Sequence, residues 1–88
     1  MPKALVCINT DFFSADDVLA ELRACEGVEE AFRVYGVYDV IAKVGAETTE
    51  KLLDIITVNI KGLQSVQGTY TMLIVEPPYP NEEQQILT

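Results

Sequence analysis

The sequence predicts an α+β domain with the element order β-α-β-β-α-β: one four-stranded antiparallel sheet with both helices on one face. Three observations carry this. Short β-branched runs alternate with two stripes of helical period. The middle connection has no helical pattern and is built around Gly36. Each helical stripe is followed by the same succession of Gly, apolar, polar, polar and apolar residues, as Gly27-Val28-Glu29-Glu30-Ala31 and as Gly62-Leu63-Gln64-Ser65-Val66.

The elements follow in order. Lys3 to Ile8 is a continuous apolar run after its first residue, which reads as a strand buried on both faces. Ser14 is placed to cap a helix, and Asp16 and Asp17 suit the positive end of its dipole. Ala15, Val18, Leu19, Leu22 and Cys25 form that helix's apolar stripe, and Gly27 ends it. Val28 to Tyr35 and Tyr38 to Val44 read as two strands of a hairpin, joined by a two-residue turn at Gly36-Val37. In that register Tyr35 faces Tyr38, Phe32 faces Ile41 and Glu30 faces Lys43. Thr48 or Thr49 caps the second helix, Leu52, Ile55, Ile56 and Ile60 form its stripe, and Gly62 closes it as Gly27 closes the first. Val66 to Val75 is the last strand, and Pro77, Pro78 and Pro80 end it. Two interleaved β-α-β units of this order make the ferredoxin-like arrangement, in which the first and third strands are central.

Residues 1–76 are therefore expected to form the domain and 77–88 a flexible acidic, proline-containing tail. The central strands are apolar on both faces, which leaves a sheet face uncovered by helices. Self-association, sheet against sheet or edge to edge, is the expected remedy, giving at least a homodimer as a dimeric α/β barrel-like unit.

Composition narrows the function. The net charge is −8 with only six basic residues and no basic stripe, which argues against direct binding of nucleic acid. No apolar run approaches the ~20 residues of a membrane span. Histidine is absent, which removes the commonest general base and metal ligand. Cys7 and Cys25 lack the spacing of a zinc site, and without an export signal they read as reduced thiols of a cytoplasmic protein. No metal, no cofactor and no catalytic residue is expected.

Two local motifs are more specific. Tyr35-Gly36-Val37-Tyr38-Asp39 lies at the hairpin, and Thr69-Tyr70-Thr71 lies inside the last strand, after Gly62-Leu63. Together, over residues 3 to 75, they resemble the effector-binding RAM domain of the Lrp/AsnC transcriptional regulators. The resemblance is to a stand-alone RAM domain, because Met1 stands two residues before the first strand and leaves no room for the helix-turn-helix domain of that family. It implies sheet-to-sheet dimers, further assembly up to octamers, full-length Lrp/AsnC regulators as further partners, and an amino acid or related metabolite bound between subunits. The ligand site it implies comprises Tyr35, Gly36, Val37, Tyr38, Asp39, Thr69 and Thr71. Asp39 would accept from the ligand ammonium, the turn's N–H groups would meet its carboxylate, and a threonine hydroxyl would orient it.

Other readings share the fold. An ACT-like regulatory module favours a glycine-rich turn after the first strand, and Asn9-Thr10-Asp11-Phe12-Phe13 has no glycine. A ligand-free assembly partner of full-length regulators fits the apolar face equally well. A dimeric α/β-barrel enzyme would be expected to place His, Asp or Arg in the cleft between helices and sheet, and the chain has no histidine.

Overall fold

The computed structural model describes residues 1–11 and 13–75. Four strands, β1 (Lys3–Thr10), β2 (Val28–Arg33), β3 (Val40–Gly45) and β4 (Val66–Ile74), form one antiparallel sheet in the order β2-β3-β1-β4. Helix α1 (Ala15–Arg23) follows β1, and α2 (Thr49–Asp54) follows β3 and continues as a π-helical segment, Ile55–Ile60. The expected ferredoxin-like order and the central placing of the first and third strands are both observed. The expected tail, 77–88, and its boundary lie outside the described residues.

Burial explains the layering. Ala4, Val6 and Ile8 of β1 point to the helices and are fully buried, with Val40, Ala42 and Val44 of β3 beside them. Val18 and Leu22 of α1 and Leu52, Ile56 and Ile60 of the second helix close over them. Truncating one such leucine to alanine costs roughly 2–5 kcal/mol, because the cavity collapses only in part.

The hairpin register is the expected one: Phe32 opposes Ile41 and Glu30 opposes Lys43. Its turn is not. The strands stop at Arg33 and Val40, and a six-residue tip, 34–39, replaces the two-residue turn. Gly36 has φ 155°, far from the ~+60° of a type II′ turn, which is the mirror image of type II. Tyr35 is 95% exposed and does not pack on Tyr38.

Three other expectations need revision. Ser14 occupies the first helix's cap position but its side chain makes no cap hydrogen bond, whereas Thr48 Oγ1 accepts from the Lys51 N–H at 3.1 Å. Helix α1 ends at Arg23, and the left-handed Gly27 (φ 91°) ends the turn after it and not the helix itself. Gly62 does not repeat that role. Its φ is not positive; a side chain there would strike the Val58 carbonyl oxygen, so close approach and not backbone handedness demands glycine.

Candidate functional site

The hairpin tip lies beside the C-terminal end of β1, and Asp39 ties the two together. Its N–H donates to the Ile8 carbonyl at 3.0 Å, and its own carbonyl accepts from the Val34 N–H at 3.0 Å. The β1–β3 ladder ends at the pair Ile8–Val40. Beyond it, the Asp39 carboxylate takes over: Oδ2 accepts from the Thr10 backbone N–H at 2.9 Å. Oδ1 makes no hydrogen bond among the described residues. The same corner is held from β4, where Gln67 Nε2 donates to Asp11 Oδ1 at 2.7 Å. A half-buried carboxylate with Oδ2 engaged is thus fixed at the sheet's end.

Tyr38 turns back over the sheet and stacks on Tyr70 of β4, with ring centroids 6.4 Å apart and planes at 23°. Tyr35 and Val37 project from the tip, and the Arg33 guanidinium lies 5.7 Å from the Tyr35 ring centre. Arg33 is itself anchored, with Nη1 donating to Asp16 Oδ1 of α1 at 3.0 Å.

Thr69 and Thr71 oppose Ile8 and Val6, so they face the helical side of the sheet, while Tyr70 between them faces the open side. Strand β1 separates them from β3. Within one chain, therefore, the structure joins Asp39 to Thr10 and Tyr38 to Tyr70, and it leaves Thr69 and Thr71 apart from the hairpin. Thr10 and Tyr70 belong to this corner although the sequence motifs do not include the first and treat the second only as a spacer. The register Cys7–Tyr70, two residues short of the bulge at Thr10, is what brings them in.

Two surface concavities lie away from this corner. Two adjoining clefts of about 230 and 170 Å³ share Glu26, Lys51 and Ile55 and open beside Gly27 and Gly45. Gly45 pairs with Lys3, at the opposite end of β1 from Asp39. Nothing in their exposed lining matches the hairpin motif. Among the described residues no group of three or more Cys, Asp and Glu is placed to hold a metal ion, and no helix is long and apolar enough to cross a membrane.

The open face of the sheet is the other candidate surface. Phe32, Ile41, Cys7 and Tyr70 form one row across all four strands, and Leu5 and Met72 continue it in the next. Phe32, Tyr70, Met72 and Ile74 remain exposed there.

Residues 3–84 match the model of the Lrp/AsnC ligand-binding domain. The chain belongs to that family. No curated protein matches the sequence. Among solved structures, FFRP-DM1 is 35% identical and superposes with a TM-score of 0.82 over 85% of this chain and 100% of that one. TTHA0845 from Thermus thermophilus is 30% identical, with a TM-score of 0.82 over 92% of this chain and 100% of that one. The transcriptional regulator NMB0573 from Neisseria meningitidis, solved with L-Met, is 12% identical. It has a TM-score of 0.75 over 90% of this chain and 53% of that one, a likeness of fold. This Lrp/AsnC chain thus spans the whole length of the first two chains and about half of the longer regulator.

Proposed function

We propose that this Lrp/AsnC domain is a cytoplasmic, self-associating regulatory module that senses a free amino acid or a related metabolite, and that it is not an enzyme. The observation that carries the reading is Asp39. Its Oδ2 is held by Thr10 and its Oδ1 makes no hydrogen bond among the described residues, so the carboxylate is preoriented to accept from a ligand ammonium. On this reading the N–H groups of the tip would meet the ligand carboxylate. Because Thr69 and Thr71 stand apart from the hairpin within one chain, this reading needs a second copy to bring together Tyr35, Gly36, Val37, Tyr38, Asp39, Thr69 and Thr71. NMB0573, solved with L-Met, supports an amino acid as ligand class.

The open face supports association. An interface of ordinary size buries about 1,600 Å² in total, and the apolar row Phe32–Ile41–Cys7–Tyr70 supplies its centre. Charge favours the same face. On the open side Lys3 bridges Glu29 and Lys43 opposes Glu30, so the charges there balance, while on the helices Asp16, Asp17, Glu21, Glu50 and Asp54 outnumber Arg23 and Lys51. Two copies of charge −8 therefore repel least when they meet sheet to sheet. Higher assemblies and mixing with full-length regulators belong to the same reading, and any effect on transcription runs through such a partner. The two free cysteines accord with a reducing compartment.

Calorimetric titration with a panel of free amino acids, alongside native mass spectrometry, tests both halves. Binding of at least one amino acid and a dimer or larger species are expected. A protein that binds none of the panel defeats the sensing half. Phe32→Glu, on the open face and far from β4, should dissociate the sheet-to-sheet dimer; an unchanged mass defeats that interface.

A further inference from the structure

The sheet has two edge strands, and the chain treats them differently. β2 carries Glu29, Glu30 and Arg33, and its register shifts between Val28 and Glu30. Arg23 of α1 reaches over and places Nε and Nη2 on the Ala31 carbonyl at 3.1 and 2.8 Å. Charges, a bulge and an occupied carbonyl are the devices that stop an edge from templating another strand.

β4 has none of them along its length from Gly68 to Ile74. The nine residues Val66–Ile74 include no charged residue and no proline. The ladder with β1 is regular from Gly68 to Ile74, with its one irregularity opposite Asn9 and Thr10. Among the described residues no strand pairs with the outer edge. Side chains stay exposed on both faces, Tyr70 at 57% on the open side and Leu73 at 52% on the other. In a chain of charge −8, an uncharged edge is where a second copy approaches against little repulsion.

The sequence of β4 is also close to self-complementary. Outward from Tyr70 it reads Thr69 and Thr71, Gly68 and Met72, Gln67 and Leu73, Val66 and Ile74. An antiparallel pair about a two-fold axis requires that residue i meet j and j meet i. We propose that β4 is a second self-association surface, at which two copies pair edge to edge about an axis at Tyr70 to give one eight-stranded sheet.

In that register Thr69 meets the partner's Thr71, a favourable hydroxyl pair on the helical side. The two Tyr70 rings, each stacked on its own Tyr38, stand next to each other on the open side. Gly68 gains a reason. Its φ is not positive and a Cβ there would meet nothing within 4 Å, so nothing in the single chain calls for glycine. Across the axis it faces the partner's Met72, which fills the space a side chain at 68 would take. The pairing extends the sheet sideways and leaves the open face free for the sheet-to-sheet contact, so the two surfaces stand or fall separately.

Cysteine cross-linking of the full chain decides it. Thr69 and Thr71 lie on the helical side, where an open-face dimer cannot bring them together. Under mild oxidation T69C/T71C should form a dimer whose mapped disulfide joins 69 to 71 of the other copy. Each single variant, with its cysteines two residues out of register, should link at least fivefold less. Adding Gly68→Val should lower the yield at least tenfold without lowering the melting temperature. Absence of the 69–71 link in a folded double variant overturns the proposal. So does equal linking by the single variants, or a yield untouched by Gly68→Val. The Phe32→Glu protein reports on the open face independently of all three.

Discussion

The Asp39 carboxylate accepts the Thr10 backbone N–H at 2.9 Å, across 29 residues of sequence. The bond satisfies a donor at the point where the β1–β3 ladder has already ended, and among the described residues nothing bonds the second carboxylate oxygen. Asp39 therefore has a structural duty on one oxygen, and the ligand proposed above would engage the other.

The two duties separate by substitution. Asp39→Asn keeps an acceptor for Thr10, so the loss of stability should stay below about 1 kcal/mol. Its amino-acid affinity should fall about tenfold to a hundredfold, as expected when a charge-assisted bond worth roughly 1.5–3 kcal/mol is lost. Asp39→Ala removes both and should also destabilise by about 1–3 kcal/mol, since the Thr10 N–H is left unsatisfied. Titration calorimetry and chemical denaturation of both variants check this. Unchanged affinity in Asp39→Asn removes Asp39 from the ligand site.

The Tyr38–Tyr70 stack fixes the returning limb of the hairpin to β4. A double-mutant cycle of Tyr38→Leu and Tyr70→Leu should give a coupling of about 0.5–1.5 kcal/mol. A coupling near zero by denaturant titration means that the rings do not hold the hairpin.

Glycine substitutions should rank by cause. Gly27→Ala meets both a positive φ and the Ile55 Cδ1, which a Cβ would approach to 2.6 Å. Gly36→Ala meets only its φ of 155°, in open space. Gly27→Ala should cost more than about 2 kcal/mol and Gly36→Ala about 1 kcal/mol. Thermal melts that reverse the order would contradict the packing of Ile55 on Gly27.

The helix caps offer a matched pair. Thr48→Ala should destabilise by about 1 kcal/mol, because the Lys51 N–H loses its acceptor. Ser14→Ala should change stability by less than about 0.5 kcal/mol, because Ser14 makes no side-chain cap bond.

Purified protein should not bind duplex DNA at ~150 mM salt, where non-specific phosphate contacts are already weakened. A measurable shift of DNA mobility at micromolar protein would overturn the argument from the −8 charge.

The sequence made the sheet legible because periodicity and cross-strand chemistry agreed. Phe32 with Ile41 and Glu30 with Lys43 set the hairpin register, and one register suits both pairs. The tip was not legible. Gly36 suggested a tight turn, yet the ladder is carried inward by Asp39 and not outward to Tyr35, because Tyr38 is drawn onto Tyr70 two strands away. Helical spacing correctly placed Leu52, Ile56 and Ile60 on the core, but a four-residue interval does not distinguish an α-helix from a wider one. The contacts Arg23 to Ala31 and Asp39 to Thr10 join side chains to distant backbone, and no local pattern announces such pairs.

The π-helical segment Ile55–Ile60 bears on how this domain tolerates changes of length. Hydrogen bonds from i to i+5, such as Lys61 N–H to the Ile56 carbonyl at 3.0 Å, fit more residues into each turn than an α-helix does. One residue can then be deleted between Asp54 and Lys61 and the remainder can close as an ordinary α-helix over nearly the same rise. Val58 and Asn59 point to solvent and are the residues to lose. Removing Val58 takes away the carbonyl that a side chain at 62 would strike. Homologues with a single-residue gap at this point should therefore be the α-helical form of the same fold, freer than this chain to carry a side chain where Gly62 stands.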